Sequence, residues 1–154
     1  MAEVDETDWH LLGLLQEDAR RGYRELARQA GLSPVTVANR VRRLENAGVI
    51  SGYHARVDPT AAGYAVTAFI VVDTRGRRES LRVADLAKAH PFVLEDHRVT
   101  GSEDHVLKVV VPRLADLEPL IDQLNELGKP ATTIVLSSPK PWSPIDSPQP
   151  MSNH

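Results

Sequence analysis

Apolar residues recur at helical spacing through the first third of this chain, and further on they gather into runs of β-branched residues. Residues 5–18 carry Trp9, Leu11, Leu12, Leu14 and Leu15 at mostly helical intervals. Asp5 or Thr7 can cap this helix, and the acids crowded at its start suit the positive end of a helix dipole. A second apolar stripe, Leu26, Ala27 and Ala30, ends at Gly31, where a left-handed residue would close a helix. Leu32 then precedes Ser33, a good N-cap, and Pro34 fits the first helical position, where no N–H is needed. In the helix so begun, Val37, Val41, Leu44 and Ala47 or Gly48 face inward, while Thr36, Asn39, Arg40, Arg42 and Arg43 lie on the opposite side. Gly48 ends it. Val49 and Ile50 with residues 52–55 predict a short turn and a wing strand. Helix, glycine turn, capped basic helix and wing form a helix-turn-helix pattern whose polar face suits phosphates and base edges.

Pro59 and Gly63 then break the chain, and the period changes. Residues 66–73 predict a strand, and residues 78–89 a helix with Leu81, Ala84, Leu86 and Ala87 inward. Residues 93–100 and 105–111 predict two strands joined by the hairpin-length loop 101–104. Residues 113–127 predict a helix carrying Leu114, Leu117, Leu120, Ile121 and Leu124, stopped by Gly128 and Pro130, and residues 131–136 a last strand. The order β-α-β-β-α-β is the split ferredoxin-like plan, with both helices on one sheet face. The expected fold class is therefore α+β, a winged helix-turn-helix followed by a ferredoxin-like domain. Val106, Leu107, Val109, Val110 and Val111 are apolar on both parities, which argues that a second sheet covers the other face, hence a homodimer. The expected boundaries are 1–57 for the helical domain, 58–64 for a linker, 65–138 for the α+β domain and 139–154 for a Pro-rich tail, extended or disordered.

Charge sharpens this division. The chain of 154 residues has a net charge of −3, which hides two opposite segments. Residues 1–19 hold six carboxylates and no Lys or Arg, whereas residues 20–56 hold eight arginines against Glu25 and Glu45. A local basic footprint of this kind is what a DNA-binding unit needs. Three arginines in four positions are also what a merely solvated helix face carries, so the charge counts only together with the ordered helix-turn-helix pattern. With no cysteine, disulfides and thiolate metal sites are excluded. The acidic N-terminus and the lack of a long apolar run predict a cytoplasmic protein without leader or membrane anchor.

The stretch E-L-A-R-Q-A-G-L-S-P-V-T-V-A-N-R-V-R-R-L-E-N-A-G-V-I-S-G-Y-H-A-R-V-D-P resembles the DNA-binding domain of the Lrp/AsnC (feast/famine) transcription regulators. The second half, in V-L-E-D-H-R-V-T-G-S-E-D-H-V-L-K-V, resembles that family's amino-acid-sensing domain, with Gly101 and Asp104 matching its Gly-x-x-Asp hairpin. The resemblance spans about residues 4–138. It implies double-stranded DNA as partner, an amino-acid effector bound near the hairpin between neighbouring subunits, and dimers assembling into tetramers or octamers. The DNA-facing candidates are Ser33, Thr36, Asn39, Arg40, Arg42 and Arg43. The effector candidates are Thr100, Gly101, Asp104 and His105, with Thr132 and Thr133 suggested by the family's fold. Asp104 would accept from the ammonium, and the backbone around Gly101 would meet the carboxylate. Read without the family, Gly101 is a turn residue and Asp104 its Asx-type partner. His105 stands where the family often has an aromatic residue, which suggests a titratable pocket.

Other chemistry is poorly supported. His97 and His105 fall on adjacent predicted strands, but no His-x-x-His or Glu-rich spacing accompanies them, so no metal or other cofactor is expected. Ser102, His97 and Asp104 lack the strand-turn-helix context of a nucleophile, no phosphate-binding glycine loop occurs, and an enzyme is not expected. Arg75-Gly76-Arg77-Arg78 reads as an exposed loop before a helix. The expected function is a sequence-specific transcriptional regulator with an amino-acid effector. The alternative is an architectural DNA-wrapping protein without a working effector site.

Overall fold

The computed structural model describes residues 4–148. Residues 1–3, and 149–154 at the end of the Pro-rich tail, lie outside the described residues. The chain divides into two compact units, one of residues up to Ala55 together with the chain from Lys140 on, the other of Arg56–Pro139.

The first unit holds α1 (Glu6–Glu17), α2 (Tyr23–Ala30) and α3 (Pro34–Asn46). Each begins and ends where local chemistry dictates. Asp5 is the N-cap of α1: its carboxylate accepts from the Asp8 N–H at 2.8 Å, and the Asp8 carboxylate accepts from the Asp5 N–H at 3.1 Å. Two orphan donors are thereby satisfied reciprocally. Gly31 closes α2 in the left-handed region at φ 67°, and Ser33 caps α3 by accepting from the Thr36 N–H at 3.1 Å. Leu11, Leu15, Leu26, Ala27, Val37 and Val41 form the core of the unit. The expected wing is not a strand: residues 51–57 have no ladder partner among the described residues. An isolated extended segment without a neighbour to pair with gains no ladder hydrogen bonds. The Pro-rich tail carries no regular element over its described part. It is held to α1 by Gln16, whose side-chain amide accepts from the Ile145 N–H at 2.7 Å and donates to its carbonyl at 2.9 Å.

The second unit is β1 (Val66–Thr74), α4 (Arg77–Ala89), β2 (Val93–Arg98), β3 (His105–Val111), α5 (Glu118–Asn125) and β4 (Gly128–Ile134), with a 3-10 turn over Leu114–Leu117. The strands pair antiparallel in the order β2-β3-β1-β4. Residues 58–64, expected as a linker, form an ordered turn: the Asp58 carboxylate accepts from the Thr60 N–H at 2.9 Å, and the Pro59 carbonyl accepts from the Tyr64 N–H at 2.8 Å.

Three expectations shift here for local reasons. The helix expected over 113–127 splits, because Pro119 in the first turn of α5 has no N–H with which to continue a helix from Leu114. Gly128 and Pro130, expected to stop a helix, instead lie in β4, where Pro130 is tolerated because β4 is an edge strand. Gly128 passes so close to β1 that an added Cβ would collide with the Asp73 carbonyl. In α4 the inward residues are Ser80, Val83 and Ala87, while Leu81 faces solvent. Ala68, Ile70, Val72, Leu107 and Val109 pack with Val83, Leu120 and Leu124 in one core on the helix side of the sheet. On the other face Phe69 remains 41% exposed.

Candidate functional site

The outward side of α3 is set by its inward side. Val37, Val41 and Leu44 are buried, which turns Val35, Asn39, Arg42, Arg43 and Asn46 away from the core. Six sequence-predicted DNA residues lie on or at the start of this helix, yet they are not equivalent. Arg42 and Asn39 are exposed. Arg40 is turned toward the start of α1: its Nη1 donates to Asp5 at 2.7 Å and to Asp8 at 2.9 Å. The Arg43 guanidinium also donates to Asp8. Asp8 is fully buried and has its carboxylate shared by the Asp5 backbone and both arginines. These contacts hold the Asp5 carboxyl below the usual carboxylate range, chiefly through its bond from Arg40, and raise the Arg40 guanidinium further. Arg40 is therefore tied within the unit, contrary to its expected place on a fully presented face. Its spacing put it one position off the Asn39–Arg42 line, close enough to the inward stripe to reach α1. The acids at the start of α1, expected from sequence to cap the helix and suit its dipole, are its partners.

Ser33 and Thr36 engage each other. Their hydroxyls lie 2.8 Å apart, beside the Ser33 cap bond to the Thr36 N–H. They position the start of α3, and Thr36 lines an open concavity of about 430 Å³ together with Asp5, Asn39, Arg40 and Arg43.

In the second unit the hairpin after β2 carries Thr100 and Gly101, both exposed, with Gly101 at φ 133° in a region that favours glycine. Val99 donates to the Asp104 carbonyl at 3.0 Å and closes the hairpin. Asp104 is half-buried, and its carboxylate accepts from the Thr74 N–H at 3.0 Å and from the Thr74 hydroxyl. Those bonds hold it below the usual carboxylate range. One oxygen is thus committed to β1, and Oδ1 makes no bond among the described residues.

His105 corrects the expectation that it lines a pocket. It is fully buried on the helix face of β3, with Nδ1 2.9 Å from Asp96 Oδ1 and Nε2 2.9 Å from Ser80 Oγ. This Ser–His–Asp chain was missed from sequence. Its one trace is Ser80 falling three residues before Val83 on the inward stripe of α4. His97 pairs with Val106 in the register and so points to the opposite sheet face from His105, and it bonds Glu95 at 3.2 Å. No group of three potential metal ligands occurs among the described residues.

Thr132 and Thr133 do not join the hairpin within one chain. They pair with Ile70 and Phe69 at the far edge of β1, whereas Asp104 contacts β1 at Val72 and Thr74. Thr133 and Lys108 both pair with Phe69, and Asp104, just before β3, lies four residues from Lys108, about 13 Å of extended chain. No helix among the described residues is long and apolar enough to cross a membrane.

A tri-helical unit with a capped basic helix, followed by a βαββαβ unit, defines a two-domain helix-turn-helix regulator. Comparison with known proteins agrees in both halves: residues 4–45 match the AsnC-type helix-turn-helix domain, and residues 67–145 match the Lrp/AsnC ligand binding domain. The chain is 41% identical over 135 residues to the HTH-type transcriptional regulator YezC of Bacillus subtilis, covering 88% of this chain and 95% of YezC. Among solved structures, the transcriptional regulator NMB0573 of Neisseria meningitidis in complex with L-Met superposes with a TM-score of 0.86 at 26% identity, covering 93% of this chain and 96% of that one. LrpC of B. subtilis gives a TM-score of 0.84 at 25% identity, covering 91% and 99%. The chain belongs to the Lrp/AsnC family: it is a transcriptional regulator with a helix-turn-helix DNA-binding domain and a ligand-binding domain, and not an enzyme.

Proposed function

We propose that this regulator reads a two-fold symmetric DNA site with the outward face of α3 and adjusts that activity to an amino acid bound at the 100–104 hairpin of an oligomer. The observation that carries the first half is the exposed line of Asn39 and Arg42 on a helix whose start is fixed by Ser33 and Pro34. Asn39 suits the N6 and N7 edge of adenine, and Arg42 suits guanine or a phosphate. Ser33 and Thr36 position the helix and meet the backbone near its N-terminus. Arg40 and Arg43, paired with Asp5 and Asp8, brace the helix beside them.

The effector reading rests on the free Oδ1 of Asp104 beside exposed Gly101 and Thr100, and the related NMB0573 is known in a complex with L-Met. Because Thr132 and Thr133 stand apart from the hairpin within one chain, they contribute to that pocket from a neighbouring subunit. Assembly begins at the sheet face that leaves Phe69 exposed, giving a dimer and then tetramers or octamers. Fluorescence-anisotropy titrations of a duplex selected by the full-length protein, at several salt concentrations and with each of the twenty amino acids added, test both halves. An amino acid that shifts the affinity supports the sensor. The commitment of an Asp104 oxygen to Thr74 favours one second reading, an architectural DNA binder without a working effector site. It would show a steep salt dependence, little sequence preference and no response to any amino acid.

A further inference from the structure

The outward face of α3 carries a feature that charge alone does not explain. Val35, at the second position of the helix, is 69% exposed, and Tyr23, at the start of α2, is 45% exposed. With Ala38 they floor a shallow, mainly apolar groove of about 570 Å³, and Arg24, Asn39 and Arg42 rim it. Arg24 and Arg42 form no ion pair or side-chain hydrogen bond among the described residues, in contrast to Arg40, whose charge is met by Asp5 and Asp8. An apolar floor between two unneutralised guanidiniums has one complementary occupant in the setting proposed above: a stretch of major groove that presents an apolar group between phosphates. The only apolar group on a major-groove edge is the C5-methyl of thymine.

We propose that Val35 is a specificity-determining residue that reads a thymine methyl, with Arg24 and Arg42 holding the flanking backbone. This rests on the DNA-reading role of α3. Val35, Asn39 and Arg42 stand at i, i+4 and i+7 and so share one helix face. Val35 and Asn39 are separated by about 6 Å of helix rise, and base pairs are spaced roughly 3.4 Å apart, so the two reach positions up to about two base pairs apart in one half-site. A valine cannot hydrogen-bond a base edge, so burial against a methyl is its available contribution to discrimination. Tyr23 closes the groove from the side of α2 and excludes water from that contact.

The test uses the full-length protein and a duplex enriched from a random-sequence pool. The duplex is then synthesised with uracil replacing each thymine in turn, which removes one methyl and leaves every hydrogen-bonding group in place. The expected result is that replacement at one position of each half-site weakens binding about fourfold, the equivalent of roughly 0.8 kcal/mol for one buried methyl. Val35→Ala, at an exposed position and checked by its melting temperature, still binds the duplex but treats thymine and uracil there alike. Arg24→Ala weakens both duplexes equally and shrinks the salt slope by about one. Equal binding of thymine and uracil at every position by the parent overturns the inference while leaving DNA reading intact. So does a Val35→Ala protein that keeps the parent's preference. If no duplex is enriched from the pool, the proposed DNA-reading role falls, and this inference with it.

Discussion

Arg40 donates to the buried carboxylate of Asp8 at 2.9 Å, and this bond pins α3 to the first turn of α1. Asp8 also closes the capping box with Asp5 and accepts from Arg43, so one side chain with no solvent exposure joins two helices of the DNA-binding unit. Asp8→Ala is expected to cost about 1–3 kcal/mol, because it strips a cap and leaves two guanidiniums without their shared acceptor. Arg40 is partly solvated, so Arg40→Ala costs less, about 1 kcal/mol. Urea unfolding of both variants measures this, and a stability equal to the parent's in Asp8→Ala would refute the pinning role.

The two kinds of arginine on α3 separate in DNA binding. Arg42→Ala is expected to weaken binding to a selected duplex by about 1–3 kcal/mol if Arg42 reads a base. If it meets a phosphate, it weakens all sequences alike and lowers the salt slope by about one. Anisotropy titrations on selected and scrambled duplexes distinguish these outcomes. An Arg42→Ala protein with unchanged affinity for both would remove the outward line of α3 from the interface.

Asp104 makes two predictions with opposite readouts. A ligand bound only by the folded protein stabilises it by about 2.7 kcal/mol at a hundredfold excess over its dissociation constant, so a melting screen of the twenty amino acids identifies the effector. Asp104→Ala abolishes that shift. The carboxyl also sits below its ordinary 3.8 because the Thr74 hydroxyl and N–H bond its ionised form. A lowered folded-state pKa adds stability that is present above 3.8 and is lost as pH falls through the lowered value. Asp104→Asn should therefore lower stability at neutral pH and flatten the acid limb below 3.8, where the protonated parent and the variant converge. An acid limb identical to the parent's contradicts the Thr74 contact.

His105 behaves as part of the core. Its ring bonds Asp96 on β2 and Ser80 on α4 from a fully buried position, so His105→Ala removes packing and leaves two polar groups unpaired. A loss of about 2–4 kcal/mol follows from the cavity and the unmet bonds. Denaturant unfolding checks it. A loss of effector response with unchanged stability would instead return His105 to the pocket.

Assembly is tested at Phe69, 41% exposed on the sheet face away from α4 and α5. Phe69→Glu places a charge in the proposed dimer contact and should dissociate the full-length protein while its far-ultraviolet circular dichroism is kept. Sedimentation at micromolar concentration gives the answer, and an undiminished oligomer would place the contact elsewhere.

Much of this was legible in the chain itself because it depends on neighbours in sequence. Gly31, Ser33 and Pro34 settle where α2 ends and α3 begins through local dihedrals and cap bonds. The period of Val37, Val41 and Leu44 settles which side of α3 is inward, and the runs at 66–73 and 105–111 settle two central strands. Boundaries at Pro119, Gly128 and Pro130 were misplaced because a proline or glycine stops a helix yet is admitted at a first turn or in an edge strand. The partners of charged groups were decided only in three dimensions. Asp8 and Arg40 are 32 residues apart, Thr74 and Asp104 are 30, and Ser80 and His105 are 25. No periodicity carries such pairs, because long side chains choose among several carboxylates and hydroxyls according to which helix and strand faces the packed core brings together. Sequence therefore determined the two-domain plan and the outward line of α3, while tertiary packing decided which arginines remain free to meet DNA and which histidine is sealed inside.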